Sequence, residues 1–478
     1  MIDTRMNPTD NQFKQTESGG HYNIKYVWTI AIVAAFGGLL FGYDWVVIGG
    51  AKPFYEKFFN LTTSFQVGWA MSCALVGCLI GSMLSGGFSD KYGRKRLLSL
   101  AAFLFIGAAI WTGLANTFTS FVLARILGGI AVGLASNLSP MYIAEISPAH
   151  IRGKFVSINQ LTIVIGILAA QIVNWLIAQP VPYGATANEI LQSWNGQYGW
   201  RWMFAVQTVP ASLFFALMFI VPESPRWLIK NGKDERASEV LRKIGGDVYA
   251  KSELADIKDT LKNEIERVNF RDLSEPRMRK ILFIGIFLAV FQQWCGINVI
   301  FNYAEEVFAA AGYGVSDILL NIVITGAVNL LFVFIAIHTV DKWGRKKLML
   351  TGAAGLALTY VFIGLSYYTG SRGIHVLLLV ILAIAFYSCS LAPITWVILS
   401  EIFPNRIRGA AMSLAVFALW TGCFTLTYTF PLLNRALGAS YTFWIYSAIC
   451  VIGFVFIKVM LPETKGKSLE QIERELVD

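Results

Sequence analysis

The sequence predicts an all-α membrane protein whose twelve transmembrane helices form two pseudo-symmetric six-helix bundles. The first reason is composition: 55% of the 478 residues are apolar and only 14% are charged, which is too little charge for the surface of a soluble protein. The second is an internal repeat, since Asp90–Arg96 recurs as Asp341–Lys347 and Glu145–Gly153 recurs as Glu401–Gly409. The second copies follow the first by 251 and 256 residues. A duplicated half in a membrane protein indicates two facing bundles and is typical of transporters.

The third reason is the number of apolar stretches with about the 20-residue length that a helix needs to cross a hydrocarbon core of about 30 Å. In the first half these stretches lie near residues 25–48, 67–88, 97–115, 120–142, 157–178 and 201–221. In the second half they lie near residues 280–303, 317–340, 348–368, 375–398, 410–433 and 441–461. Together they predict twelve membrane crossings.

The distribution of Lys and Arg predicts the orientation of the chain. The loops after the second, fourth, eighth and tenth stretches carry the basic repeats, whereas residues 178–200 contain no Lys or Arg. Because cytoplasmic loops carry the excess of positive charge, both termini are expected in the cytoplasm. The net charge of +9 is explained by this asymmetry, so the expected partner is the lipid bilayer and not a nucleic acid.

We expect the chain to be organised as two bundles, a linker and two tails. These parts are an N-terminal cytoplasmic tail at 1–24, a first bundle at 25–221, a cytoplasmic helical linker at 222–279, a second bundle at 280–461 and a C-terminal cytoplasmic tail at 462–478. In the linker, Gly245 and Gly246 are expected to interrupt the helix. The linker is near the lower size limit for an independent core and carries no nucleophile, metal or phosphate motif. The sequence therefore predicts no enzyme and no cofactor or metal site.

Amide side chains cluster inside the apolar stretches, where a polar group is costly unless it faces a cavity or a neighbouring helix. Amides and aromatic rings are the groups that suit the hydroxyls and the flat apolar face of a sugar. The alternative is hydrogen bonding between helices, which Asn and Gln often form in membrane bundles. The amides concerned are Gln160, Gln171, Gln292, Gln293, Asn298 and Asn329.

Asp44 lies in the first stretch and Arg125 opens the fourth. A carboxylate inside a membrane is a functional hypothesis by default. Burial favours its protonated form, whereas a nearby guanidinium favours the charged form, so a movement of Arg125 relative to Asp44 could couple proton binding to conformation. The alternative is a fixed ion pair that locks two helices together.

Acidic and basic residues of both repeats are predicted to form an ion-pair gate between the bundles on the cytoplasmic side. The alternative is that the arginines only set the topology. The gate residues are Arg94, Glu145, Arg152, Glu223, Arg345, Glu401 and Arg408.

Several longer motifs occur together along the chain: Gly37–Asp44, Ala135–Glu145, Pro222–Leu228, Ser400–Gly409 and Pro462–Lys467. By these motifs the chain resembles the sugar porter family of the major facilitator superfamily over roughly residues 25–475, and within it the bacterial proton-coupled D-xylose members. The resemblance implies the major facilitator fold and proton-coupled symport of a monosaccharide by alternating access. It also implies a monomer in the bacterial inner membrane. A facilitative uniporter and a membrane sugar sensor are the alternatives.

The resemblance also implies which residues contact the sugar. The expected contacts are Gln160, Gln292, Gln293, Asn298, Asn329, Trp396 and Trp420, with Phe41, Ile167, Gln171 and Tyr303 as possible cavity lining. Asp44 matches the acid of the proton-coupled members. Two positions depart from the D-xylose pattern, because Ile167 and Leu419 stand where amides are expected. The sugar is therefore left open between D-xylose and a hexose such as D-glucose.

Overall fold

The computed structural model describes residues 22–148, 151–263, 276–371, 373–403 and 408–465. Most of both predicted tails lies outside these residues, as does part of the linker. Of the predicted gate residues, the side chain of Arg408 also lies outside the described part of the chain. Within the described residues the regular secondary structure is helical throughout.

Five long helices make up most of the first half. They are α1 (Ile24–Phe58), α2 (Ser64–Tyr92), α3 (Arg94–Leu114), α4 (Phe118–Ile146) and α5 (Arg152–Ile177). Thr63 begins α2 with a capping box: its hydroxyl accepts from the N–H of Gln66, and the Gln66 side chain accepts in return from the Thr63 N–H, which pairs two otherwise unsatisfied donors.

Small residues allow α2 and α4 to pack backbone against backbone. A Cβ atom on Gly129 would lie 1.9 Å from the main-chain oxygen of Ala74, and one on Gly77 would lie 2.1 Å from that of Ile126. Close approach of this kind is the usual way for helices to associate where lipid removes the hydrophobic driving force.

The sixth predicted stretch is broken into short segments. After α6 (Ala187–Gln192) the chain forms one π-helical turn, Asn195–Gly199, and continues through α7 (Trp200–Ala205) and α8 (Thr208–Leu217). Pro210 lies in the first turn of α8, where the missing N–H is tolerated.

The linker contains α9 (Pro225–Lys230) and α10 (Asp234–Asn263). The chain leaves helical geometry within α10 at Gly246, with φ of 80°, which agrees with the break expected at Gly245 and Gly246. At its start the linker contacts the first half, because the Trp227 indole N–H donates to the main-chain oxygen of Asp90 at 2.8 Å.

The second half has three interrupted helical regions. Its helices are α11 (Pro276–Trp294), α12 (Ile297–Asn302), α13 (Ala304–Ala310), α14 (Val315–Trp343), α15 (Arg345–Tyr368), α16 (Ile374–Cys389), α17 (Leu391–Ile402) and α18 (Arg408–Met460). Gly296, with φ of 87°, separates α11 from α12, and Ser390 separates α16 from α17. Tyr303 separates α12 from α13, and within α18 the chain leaves helical geometry at Gly438, with φ of 80°.

Ten helical segments in the described residues are long and apolar enough to cross a membrane. This number is compatible with twelve crossings for two reasons. The α18 segment has 53 residues and turns at Gly438, so it contains two crossings, and the broken α7–α8 segment is too short in each piece to be counted.

Candidate functional site

Asp44 of α1 and Arg125 of α4 form a buried ion pair. The Arg125 Nη1 donates to Asp44 Oδ1 at 2.7 Å, and its Nη2 donates to the main-chain oxygen of Asp44 at 3.2 Å. The two side chains are 5% and 4% exposed. The structure thus brings together the two residues that the sequence analysis paired.

An aromatic ring and a glycine pack against this pair. The Arg125 guanidinium lies 5.2 Å from the ring centre of Phe204, and a Cβ on Gly128 would be 3.5 Å from Asp44 Oδ1. Arg125 Nε is buried and has no hydrogen-bond partner within the described residues. Loss of one member of a buried pair leaves an uncompensated charge, which costs roughly 3–5 kcal/mol.

Gln293 and Asn298 face each other across the break between α11 and α12. The Asn298 side-chain amide donates to Gln293 Oε1 at 2.6 Å, and the Gln293 amide donates to Gln292 Oε1 at 3.3 Å. Because Gly296 turns the chain, the two amides point into the same space although they are five residues apart. All three side chains are buried.

Gln292 makes a different contact from its neighbours. Its amide donates to the main-chain oxygens of Leu391 and Ala392 at 3.2 and 3.0 Å. This side chain therefore joins α11 to the start of α17.

Asn329 of α14 contacts a neighbouring helix as well. The hydroxyl of Ser388 in α16 donates to Asn329 Oδ1 at 2.6 Å.

Aromatic rings from both halves meet between α1 and α18. Trp420 of α18 lies 5.9 Å from Phe41 and 5.9 Å from Trp45 of α1, measured between ring centroids. Tyr303 is fully buried, and its hydroxyl donates to the main-chain oxygen of Thr427 at 2.6 Å. Trp396 differs from these residues, because 38% of its surface is exposed.

One expected sugar contact, Gln160, and two expected lining residues, Ile167 and Gln171, lie on α5. Gln160 is partly exposed, whereas Ile167 and Gln171 are buried. Gln171 crosses to the second half: a Cβ on Gly326 of α14 would lie 1.7 Å from its Oε1. Both polar atoms of the Gln171 amide lack a hydrogen-bond partner among the described residues, so its hydrogen-bonding capacity is available.

The two repeated basic motifs, Asp90–Arg96 and Asp341–Lys347, are together named here the basic end. Both motifs make the same pattern of contacts. In the first half, Nη2 of Arg94 donates to Glu145 Oε1 at 2.9 Å. The main-chain N–H of Arg94 donates to Glu223 Oε1, also at 2.9 Å. Glu223 thereby caps α3 at its N-terminus, where a carboxylate is favoured by the helix dipole. Gly93 precedes this cap with φ of 96°.

The second half repeats the pattern. Nη2 of Arg345 donates to Glu401 Oε1 at 3.3 Å, and the main-chain N–H of Arg345 donates to Glu463 Oε1 at 2.9 Å. Gly344 has φ of 85°. Of the other predicted gate residues, Arg152 is exposed at the start of α5.

Comparisons with known proteins identify the family of the chain. Residues 30–476 match the family model described as "Sugar (and other) transporter". The chain belongs to this family. Membership of a transporter family confirms that the chain is a transport protein and not an enzyme.

Curated relatives and solved structures match nearly the full chain. The D-xylose-proton symporter of Escherichia coli K12 is 40% identical and the alignment covers 95% of this chain and 96% of the relative. The glucose transport protein of Synechocystis is 39% identical, with coverage of 98% and 100%. A partially occluded inward-open structure of the xylose transporter XylE from E. coli matches with a TM-score of 0.81 at 38% identity, covering 93% and 100%.

These matches confirm the predicted fold class, the sugar porter assignment and the integral, multi-pass character of the protein. With two crossings in α18 and one in α7–α8, the chain has twelve, which agrees with the twelve helices of the major facilitator fold.

Sequence reasoning missed three features of the site. Trp45 contacts Trp420 and follows Asp44 directly, but an aromatic residue in an apolar stretch gives no signal of its own in the sequence. Glu463 is the counterpart of Glu223 and could have been found from the repeat of Pro222-Glu at Pro462-Glu. Lys52, whose Nζ lies 2.9 Å from Glu305 and 2.6 Å from Glu306 of the second half, was missed because the predicted first stretch ends at residue 48, whereas α1 continues to Phe58.

Proposed function

We propose that this protein carries a monosaccharide into the cell together with a proton, by alternating access between two bundles. The observation that carries the proposal is the buried Asp44–Arg125 pair between α1 and α4, at 2.7 Å. It occurs in a chain whose relatives include a D-xylose-proton symporter and a glucose transport protein.

Asp44 is the proposed proton carrier. While Arg125 donates to it, the charged carboxylate is favoured; once the guanidinium moves away in a medium of low dielectric, the protonated acid is favoured. The movement of one helix relative to the other would therefore exchange a proton for an ion-pair contact. The unpaired Arg125 Nε leaves that side chain one donor with which to hold an alternative position.

The sugar is proposed to bind mainly to the second half. Gln293 and Asn298 present amides at the break between α11 and α12, and such groups both donate to and accept from sugar hydroxyls. Trp420 supplies an apolar face, with Phe41 and Trp45 beside it. The further proposed contacts are Gln160, Gln292, Asn329 and Trp396, with Ile167, Gln171 and Tyr303 as lining.

Gln292 is proposed to hold the cavity in shape as well as line it, because its amide is already engaged by two main-chain oxygens of α17. The identity of the sugar is proposed to be D-xylose or a hexose such as D-glucose. Ile167 is apolar where the D-xylose pattern has an amide, so we propose both sugars as candidate substrates.

The basic end is proposed to face the cytoplasm and to act as the inner gate. Glu145 Oε2 and Glu401 Oε2 are buried without a partner among the described residues. Each carboxylate therefore has an oxygen left for an arginine of the other half, such as Arg152 or Arg408, when the inner side closes. Exposed pairs are each worth only about 0–1 kcal/mol, but several together can bias a conformational equilibrium.

The moving units are proposed to be residues 25–221 and 280–461, joined by the linker at 222–279. We place the protein in a bacterial inner membrane as a monomer, with both termini in the cytoplasm. Its partners are the sugar, the proton and the bilayer, with no nucleic acid.

Uptake by proteoliposomes tests this function. With an imposed proton gradient, labelled D-glucose or D-xylose should accumulate above its external concentration, and the unlabelled form of the better substrate should compete. Equilibration without accumulation would indicate a uniporter. Binding without any flux would indicate a sensor and overturn the proposal.

A further inference from the structure

A second cluster of charges lies at the far end of α1 from the linker. Lys52 of α1 is 3% exposed and is surrounded by three carboxylates. Its Nζ lies 3.0 Å from Glu56, 2.9 Å from Glu305 and 2.6 Å from Glu306. Glu305 and Glu306 belong to α13 in the second half, 253 and 254 positions further along the chain.

These contacts differ in what they join. The pair of Lys52 with Glu56 lies within one helix, at i and i+4. The pairs with Glu305 and Glu306 connect the two halves. One turn before Lys52, the backbones of α1 and α12 also meet, since a Cβ on Gly49 would lie 2.9 Å from the main-chain oxygen of Asn302. This face of α1 is thus packed tightly against the second half.

We propose that Lys52, Glu305 and Glu306 form the outer latch of this transporter. The latch holds the two halves together at the end opposite the basic end while the cavity faces the cytoplasm, and it separates each time the outer side opens. This inference rests on the alternating-access part of the proposed function, and it does not depend on which sugar is carried or on Asp44.

An ion cluster suits a contact that must open repeatedly. In the closed state the ammonium has three acidic partners and little contact with water, so its charge is compensated where it is buried. In the open state each charge regains its hydration, which offsets much of the lost attraction. An apolar contact of the same area would instead be penalised by exposure to water.

Water has a route to the cluster. A cavity of about 280 Å³ lies beside it and is lined in part by Glu56, Glu306, Thr63 and Arg435. Glu305 and Glu306 are 21% and 22% exposed. The carboxylate side of the latch therefore already borders the outer surface, and separation of α13 from α1 would extend this cavity inward past Lys52.

Distance measurement between spin labels tests the latch without any transport assay. The labels are placed on Thr62→Cys in the first half and Ala310→Cys in the second, both exposed. Five of the six native cysteines are buried and Cys389 is partly buried, so the protein without introduced cysteines serves as the labelling blank. Purified full-length protein is measured without sugar and without a proton gradient.

The decisive variant is Glu305→Gln with Glu306→Gln, which removes both ion pairs between the halves. The matched control is Glu56→Gln, which removes one ion pair of Lys52 within α1. The double variant should shift the distance distribution to longer values, with at least about a tenfold rise in the ratio of open to closed states, equal to about 1.4 kcal/mol. Glu56→Gln should leave the distribution close to that of the wild type.

Two results would overturn the latch. If the double variant kept the wild-type distribution, the cross-half pairs would not hold the outer side closed. If Glu56→Gln opened the outer side as much as the double variant, the total charge of the cluster would matter and the link between the halves would not. A protein that failed to accumulate sugar but showed the expected shift would refute the proposed symport and retain the latch.

Discussion

At the basic end, the two halves hold the same contact: Glu223 accepts from the N–H of Arg94, and Glu463 accepts from the N–H of Arg345. In the middle of the membrane they differ. The repeat spacing of 251 to 256 residues puts the counterpart of Asp44 at 295–300, which is the break between α11 and α12 and not an ion pair. We propose that the duplicated contacts serve the shared movement of the bundles and that the unduplicated residues carry the chemistry.

The first prediction tests the ion pair of the first half and has the largest effect. Arg125→Gln should lower the free energy of unfolding by about 3–5 kcal/mol, because it leaves the Asp44 carboxylate buried without its cation. Adding Asp44→Asn should recover part of this loss, since no buried charge is then uncompensated. Thermal unfolding in detergent measures both variants. A double variant no more stable than Arg125→Gln would argue against a charged pair.

The second prediction concerns the amides of the second half. Asn298→Ala and Gln293→Ala should each weaken sugar binding by roughly 10- to 100-fold, because a buried polar group left unpaired costs about 1–3 kcal/mol. Equilibrium binding by calorimetry provides the measurement. Asn231→Ala is a matched control, since that amide donates to the main-chain oxygen of Trp227 in the linker. Wild-type affinity in both cavity variants would place the sugar elsewhere.

The third prediction tests whether the two halves contribute equally to stability at the basic end. Gly93 and Gly344 have φ of 96° and 85°, and a Cβ on them would lie 2.3 Å from Glu223 and 2.6 Å from Glu463. Gly93→Ala and Gly344→Ala should each cost about 1–3 kcal/mol of stability through backbone strain. Their unfolding temperatures should fall by similar amounts. Loss of stability in one variant alone would show that the repeats are not equivalent.

The smallest effect is expected at the caps themselves. Glu223→Gln and Glu463→Gln keep a hydrogen-bond acceptor and lose the charge at a helix N-terminus, which is worth about 0.3–1 kcal/mol. Both should lower the unfolding temperature slightly and to a similar extent. An increase in salt should reduce the difference from the wild type, because the dipole interaction is screened. Unequal responses to salt would separate the two ends.

Much of the fold could be predicted from the sequence, because the length of each apolar stretch and the internal repeat can be read directly from the residues. The helices from α1 to α5 lie at five of the predicted stretches, and the break at Gly246 follows from a Gly-Gly pair. The separation of the last two crossings was predictable as well, because the stretches at 410–433 and 441–461 leave residues 434–440 between them, and the chain leaves helical geometry at Gly438.

The candidate site was only partly predictable. The pairing of Asp44 with Arg125 could be inferred because each charge is isolated in an apolar stretch. The pairing of Lys52 with Glu305 and Glu306 could not, because the residues lie 253 and 254 positions apart and each stands at the end of a stretch, where charge is ordinary. Contacts between the halves depend on the packing of the bundles, which periodicity does not report.

The contrast between the duplicated contacts of the basic end and the unduplicated residues of the membrane middle is tested most directly by Asp44→Asn, measured for both binding and accumulation. A membrane potential of about 100 mV supplies about 2.3 kcal/mol per proton charge, enough for roughly a 50-fold sugar gradient. We expect the variant to bind sugar within about threefold of the wild type and to exchange it across proteoliposomes, while the accumulation ratio falls to about 1. Accumulation at the wild-type ratio would contradict the assignment of proton coupling to the first half.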